Sequence, residues 1–199
     1  MRGITNIKML KKELGYVTDG LILHLDGIEY GNQSGKWIDL VNGTEFIASG
    51  NVSKVANGFS IAGGTINSST KYNIVYVEFV MKHSGRAEKY IITPDINTKT
   101  IVIFNNNMQI PARNINGFSY SFPYDTLRAF GTDYSKLYMN GKKVTTNSPL
   151  NNRDMTYNGF RIGSANFTGE IYSVRVYSRT LTDEEIAQNF AVDKARFGI

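Results

Sequence analysis

Residues 169–190, GEIYSVRVYSRTLTDEEIAQNF, decide the fold because a strand pattern leads directly into a helix pattern. In the first half, Tyr172, Val174 and Val176 alternate with Ser173 and Arg175. Successive residues of a strand point to opposite faces, so this alternation predicts a strand with one buried face. The stretch is therefore predicted to be a member of a sheet.

The second half of the same stretch predicts the start of a helix. Thr182 stands three residues before Glu185, the spacing of a capping box, in which each side chain bonds to the other residue's backbone N–H. Leu181 can contact Ile186 across this cap as a hydrophobic staple. The helix is predicted to be short and to pack through one apolar stripe, formed by Ile186, Ala187 and Phe190.

Further strand patterns occur upstream of this stretch. The clearest pair flanks Asn140-Gly141, a dipeptide that accepts the positive φ angles of a type I′ turn. Residues 72–82 are apolar on both faces of the pattern, which is typical of a central strand. The pair around Asn140-Gly141 covers residues 136–139 and 142–145, and the other strand patterns cover residues 21–25, 88–93, 100–104, 118–122, 127–132 and 159–163.

The composition indicates a single globular domain. The 199 residues are 41% hydrophobic and 12% aromatic, which allows a sizeable core. The absence of cysteine excludes disulfides and thiolate metal sites. No run of 18 apolar residues and no signal-peptide core occurs, so we expect synthesis in the cytoplasm and no membrane span. The net charge of +5 is not gathered into a basic helix, which argues against specific nucleic-acid binding.

Three groups of residues resemble a known family. They are GLILHLDG at 20–27 with WIDL at 37–40, SKLYMNGKKVT at 135–145, and the strand and helix start at 169–186. In order and spacing they are similar to the LamG-like jelly-roll domains of the concanavalin A-like lectin and glucanase superfamily. The resemblance implies an all-β fold, a two-sheet antiparallel β-sandwich with a short C-terminal helix. It does not fix the activity, because one fold hosts many functions.

The resemblance divides the chain into an N-terminal arm, residues 1–18, and a LamG-like domain, residues 19–199. Apolar residues near helical spacing alternate with lysines in the arm, which suggests a short amphipathic segment. We expect it to contact another copy or another protein, and an ordinary docked terminus is the alternative. The candidate assembly residues are Ile4, Ile7, Lys8, Leu10, Lys11 and Lys12.

The resemblance also indicates where a ligand could bind. In a jelly roll, one face of a central strand lies against the second sheet, and the other lines a concave front where lectins of this fold bind ligands. Tyr76 and Glu78 lie on that second face of the strand at 72–82 and are candidate groove residues, unless loops cover them. Tyr120 and Arg128 complete the candidate set for a glycan ligand.

No residue pattern in the chain indicates catalysis. A retaining glycosidase needs two carboxylates about 5 Å apart, and the E-x-D-x-E strand that supplies them in jelly-roll glucanases is absent. The run Arg86-Ala87-Glu88 resembles a lyase motif, but the His and Tyr signatures expected with it have no match. Nucleophile, phosphate-loop and zinc motifs are also absent. We therefore predict that the chain is not an enzyme, with a polysaccharide lyase or glycosidase as the alternative.

Four further residues bear on ligands and metals. His24 is predicted to be structural because no second ligand stands at metal spacing from it. Trp37, which could stack on a sugar, is predicted to pack in the core instead. No cofactor or metal is predicted, although calcium could bind through Asp26, Asp39 or loop oxygens.

The predicted function is that of a binding or structural module. The resemblance implies a virion protein of a tailed bacteriophage or prophage, either a capsid decoration or a tail or baseplate component. Its expected partners are other virion proteins, reached through the arm in a homo-oligomer or symmetric assembly, with a glycan as a second ligand. The alternative is a secreted or cell-surface carbohydrate-binding module.

Overall fold

The computed structural model describes residues 14–29, 35–84, 89–93, 101–104, 107–110, 118–121, 123–133, 135–145 and 159–199. Within these residues the chain forms sixteen strands, arranged in two antiparallel sheets, and one helix near the C-terminus. The predicted two-sheet β-sandwich with a C-terminal helix is therefore confirmed.

The first sheet contains eight strands in the spatial order β14-β13-β12-β7-β16-β5-β4, with β1 also paired to β16. Their bounds are β1 Leu21–Asp26, β4 Val52–Val55, β5 Gly58–Ala62, β7 Tyr76–His83, β12 Arg128–Thr132, β13 Leu137–Met139, β14 Lys142–Thr145 and β16 Thr168–Tyr177. The second sheet has the order β11-β10-β9-β8-β15-β6-β3-β2. Its strands are β2 Lys36–Ile38, β3 Glu45–Ser49, β6 Thr65–Ser68, β8 Lys89–Thr93, β9 Ile101–Phe104, β10 Asn107–Ile110, β11 Phe118–Ser121 and β15 Phe160–Ile162.

Strand β16 is the centre of the first sheet. One edge pairs with β7 along almost the whole strand, and the other edge pairs first with β5 and then with β1. The register against β7 shifts between Ile171 and Ser173, so the strict alternation expected here is interrupted. Val174 and Val176 lie in the core between the sheets, but Tyr172 packs on the opposite face. The prediction that Tyr172 shares their face is therefore wrong, because a bulge reverses the alternation.

Aromatic side chains fill the space between the sheets. Trp37 is fully buried, lies 4.6 Å from Phe59 between ring centroids, and donates its indole N–H to the backbone oxygen of Asp26. Phe46 and Phe160 meet edge to face at 5.9 Å. The expectation that Trp37 packs in the core is confirmed.

Helix α1 spans Asp183–Phe197 and begins with the predicted capping box. Thr182 Oγ1 accepts the Glu185 N–H at 3.2 Å, and the Glu185 carboxylate accepts the Thr182 N–H at 2.9 Å. The buried residues are Ile186, Asn189, Asp193 and Phe197. Ala187 is exposed, so the stripe that packs is half polar rather than wholly apolar as expected. In the described part of the chain, no helix has the length and apolarity that a membrane span requires.

The predicted Asn140-Gly141 turn joins β13 to β14. Asn140 and Gly141 have φ angles of 50° and 72°, as a type I′ turn requires. The Asn140 side chain also accepts the Ala129 N–H at 3.0 Å, which ties the turn to β12. A Cβ atom on Gly141 would lie 2.9 Å from the Phe190 side chain, so the turn packs directly against α1.

Candidate functional site

The candidate groove residues Tyr76 and Glu78 lie beneath the C-terminal helix. Val77 and Phe79 of β7 point into the core between the sheets, so Tyr76 and Glu78 point to the outer face of the first sheet. Helix α1 covers that face at these positions, and Tyr76 and Glu78 are only 0% and 4% exposed to solvent. The structure therefore corrects the expectation of an open groove at these two residues, because a helix, rather than loops, covers them.

A buried ionic cluster joins the helix to this face. Arg175 Nη1 and Nη2 donate to the two carboxylate oxygens of Asp193 at 2.8 and 2.6 Å. Arg175 Nε donates to Glu78 Oε2 at 3.0 Å. Arg175, expected on the face of β16 away from the core, is 1% exposed. One guanidinium thus holds a carboxylate from the helix and another from the sheet, a fork geometry that Arg is suited to.

Neutral groups complete the cluster and add the N-terminal residues to it. Asn189 Nδ2 donates to Glu78 Oε2 at 2.8 Å, and Asn189 Oδ1 accepts the Val17 N–H at 2.8 Å. Tyr16 donates its hydroxyl to Asp193 Oδ1 at 2.8 Å, and its ring lies 4.2 Å from the Arg175 guanidinium carbon. Residues 14–18 therefore pack against the sandwich at the same place as the helix.

Burial sets the ionisation of the cluster. Loss of solvent raises the pKa of Glu78 from 4.5 to about 7, although Arg175 acts in the opposite direction. Burial also disfavours the charge on Arg175, but Asp193 and Glu78 outweigh it and raise the pKa of Arg175. Two carboxylates share one cation, and Glu78, with its pKa raised to about 7, binds a proton near neutral pH.

The two carboxylates suggested for calcium are occupied by protein donors. Asp39 accepts the backbone N–H groups of His24, Val41 and Asn42 at 2.8–3.1 Å. Arg196 Nη2 donates to both carboxylate oxygens of Asp26, each at 3.0 Å. The residues that the structure describes contain no group of three or more His, Cys, Asp or Glu side chains that could hold a metal ion. His24 is 1% exposed and lies 3.6 Å from Asp26, so the structure places it in this buried region.

The other predicted site residues lie apart from this cluster or outside the described residues. Arg128 begins β12, and its Nε is buried without a hydrogen-bond partner among the described residues. The side chain of Tyr120 in β11 lies outside the described residues, as do the six arm residues between positions 4 and 12. The structure therefore does not bring the four predicted ligand residues together in one described surface.

A different surface has the shape of a binding site. A cleft of about 460 Å³ opens at one end of the sandwich, where the turns β3–β4, β5–β6 and β15–β16 meet. We call this the turn cleft, and it is lined by Ser49, Gly50, Gly63, Gly64, Thr65, Arg161, Ser164, Ala165 and Asn166. No carboxylate occurs among these lining residues of the described chain. Its size falls within the range of small-molecule sites.

Glycines form the floor of the turn cleft and allow three turns to approach closely. A Cβ on Gly64 would lie 2.6–2.9 Å from atoms of Val52, Ser49 and Asn51. Gly50 and Gly63 have φ angles of 72° and 81°, which side-chain-bearing residues rarely adopt. No local sequence pattern indicates this cleft, because its third turn follows Ile162, about 100 residues after the other two turns.

Solved structures with a similar fold include sialidases and toxin receptor-binding domains. The sialidase of Trypanosoma rangeli in complex with sialic acid superimposes with a TM-score of 0.71 at 10% identity, covering 96% of this chain and 38% of the sialidase. The botulinum neurotoxin type G receptor-binding domain superimposes with a TM-score of 0.66 at 15% identity, covering 88% of this chain and 52% of the toxin domain. The chain shares their β-sandwich fold. No protein-family model and no curated protein matches the sequence.

These likenesses correct the prediction about catalysis. The absence of catalytic motifs led to the prediction that the chain is not an enzyme, and this prediction is contradicted because enzymes share the fold. Beside the sialidase above, a mutant of it with trans-sialidase activity superimposes with a TM-score of 0.71 at 11% identity. The chain spans about two fifths of the sialidases and about half of the toxin domain. At 10–15% identity, the similarity to these solved structures shows a shared β-sandwich fold alone. It does not indicate a LamG-like or phage protein in particular.

Proposed function

We propose that this chain is a glycan-binding β-sandwich module whose ligand occupies the turn cleft. The cleft itself carries the proposal, because it is open, about 460 Å³ in volume, and lined by hydroxyl, amide and guanidinium groups. Such groups hydrogen-bond to sugar hydroxyls, and a few polar groups in a preformed cleft are typical of ligand sites. Sialidase in complex with sialic acid and a toxin receptor-binding domain among the fold neighbours are consistent with this role.

The test compares a filled cleft with a matched surface change. Ala165 is exposed and lines the turn cleft, so Ala165→Trp places a large side chain in it. Ala187 is exposed on α1, away from the cleft, so Ala187→Trp is the control. On a glycan array we expect binding by the wild type and by Ala187→Trp, and loss of binding by Ala165→Trp. A wild-type protein that binds no glycan, or an Ala165→Trp variant that binds as the wild type does, would overturn the proposal.

We further propose that the module belongs to a tailed-phage or prophage virion and assembles through its N-terminal arm. The resemblance of the strand, hairpin and helix motifs supports this assignment. Tyr16 and Val17, which follow the candidate assembly residues in the sequence, are both buried and bonded to α1. A basic, amphipathic sequence such as that of residues 4–12 is suited to bind a neighbouring subunit or an acidic partner.

Charge reversal tests the assembly proposal. We expect the full chain to form a symmetric oligomer, measured by light scattering after size exclusion. The double change Lys11→Glu with Lys12→Glu should dissociate it, whereas Lys142→Glu with Lys143→Glu, at an exposed hairpin, should not. A monomeric wild type, or equal masses for both double variants, would contradict the arm's role.

A further inference from the structure

We infer that the turn cleft selects an acidic glycan, one that bears a carboxylate or sulfate group, and that Arg161 binds this group. The inference rests on the proposed function, since it names the ligand class of the same cleft. Four observations carry it: the position of Arg161, its lack of a described ion-pair partner, the unpaired Ser164 hydroxyl in the same lining, and the glycine floor.

Arg161 is placed at the cleft by its strand. Phe160 and Ile162 of β15 are buried in the core, so Arg161 between them points to the outer face of the second sheet. It pairs with Asn67 across the ladder, and the next outward-facing residue of β6 is Thr65, which lines the cleft. The side chain is exposed, so a ligand can reach the guanidinium.

The charge of Arg161 is not neutralised by any carboxylate of the described residues. Arg175, Arg179 and Arg196 each pair with two carboxylates within 3.3 Å. No such pair is formed by Arg161 in the described part of the chain, and the cleft's described lining contains no acidic residue. A guanidinium in a concave, acid-free surface attracts an anion, and its fork matches the two oxygens of a carboxylate or sulfate.

Two polar atoms next to Arg161 are buried without a partner. Ser164 Oγ, in the cleft lining, makes no hydrogen bond to the described residues. Asn67 Oδ1 also has no partner among the described residues, whereas the Asn67 amide N–H donates to Thr65 Oγ1 at 3.1 Å. Unpaired buried polar atoms are uncommon, and of these two residues Ser164 is the one that lines the cleft. A change of the Ser164 χ1 rotamer can turn its hydroxyl toward the anion as a donor.

The glycine floor lets the ligand approach the backbone. Gly50 and Gly63 both line the cleft and expose backbone there without a side chain. Close approach of a ligand to the backbone is one of the reasons for glycine at such positions. The cleft thus combines the Arg161 cation, the Ser164 hydroxyl, the Asn166 amide and an open floor, groups that can bind an acidic sugar.

The experiment uses the full chain on an array that carries neutral oligosaccharides beside their uronate-, sialate- and sulfate-bearing counterparts. We expect the wild type to bind at least one acidic class about tenfold or more tightly than its neutral counterpart, with affinity that falls as salt rises. Arg161→Gln should remove this preference, and Arg161→Lys should keep part of it. Lys142→Gln, at an exposed hairpin position, changes the net charge equally and should leave the preference unchanged.

The outcomes separate the two proposals. Equal affinity for acidic and neutral sugars, or an acidic preference that survives Arg161→Gln, would overturn the inference while leaving glycan binding intact. Absence of binding to every sugar would overturn the proposed function itself. Preference for only the carboxylate-bearing or only the sulfate-bearing set would support the inference and identify the acid group.

Discussion

Replacing Glu78 by glutamine is expected to remove a large part of the pH dependence of stability. Glu78 Oε2 accepts hydrogen bonds from Arg175 and Asn189, and the amide oxygen of glutamine can accept the same two bonds. Burial raises the pKa of Glu78 from 4.5 to about 7. The folded state therefore retains a proton that the unfolded state loses between these values, so this stabilisation is complete below pH 4.5 and is lost as pH rises through 7. At about 1.4 kcal/mol per pKa unit, the loss is roughly 3 kcal/mol.

Urea unfolding of the wild type and of Glu78→Gln at pH 4.5, 6 and 8 measures this contribution. The free energy of unfolding of the wild type, relative to the variant, should fall by roughly 3 kcal/mol across the range. Burial lowers the pKa of His24, which stabilises the fold as pH rises, but His24 is present in both proteins and cancels in the difference. A difference that stays constant within about 1 kcal/mol would refute the assignment of the raised pKa to Glu78.

Three further substitutions are expected to lower the free energy of unfolding, each measured by urea titration against Glu184→Ala, an exposed position of α1. Thr182→Ala removes the helix cap and should cost about 1 kcal/mol; no loss would contradict the role of the capping box. Gly141→Ala places a side chain at a φ of 72° and against the helix, which should cost about 1–2 kcal/mol or more; a neutral effect would contradict the tight packing of the turn. Asp193→Ala leaves Arg175 buried without its two-oxygen partner and should cost roughly 3–5 kcal/mol; a loss below about 1 kcal/mol would show that the ion pair contributes little.

Local hydrogen bonds and local geometry could be predicted from the sequence. The capping box depends on two residues three apart, Thr182 and Glu185, and the hairpin depends on the adjacent Asn140 and Gly141. Both signals act through the backbone within one turn, so the rest of the chain does not alter them. The alternation that indicated the strands has the same local origin. The two-sheet arrangement was predicted from the resemblance of these motifs to LamG-like jelly-roll domains.

Contacts between distant residues could not be predicted in this way. Because Arg175 alternates with valines, the sequence pattern predicts that it is exposed. In the structure it is buried and bonded to Asp193, 18 residues later, and to Glu78, 97 residues earlier. The bulge after Ile171 depends on pairing with β7 and has no pattern of its own. The turn cleft likewise requires Arg161 to meet turns that lie about 100 residues upstream.

The polar stripe of the helix determines which surfaces of the sandwich remain available to a ligand. Asn189 and Asp193 lie one turn apart and bond to Glu78 and Arg175 with directional geometry. A helix displaced by one turn would take Asp193 away from the buried Arg175 and leave it with Glu78 alone, which is costlier than displacing an apolar contact. The network therefore fixes the helix in one position over Tyr76 and Glu78. Because these two residues are covered, we expect binding at the open turn cleft beside Arg161 instead.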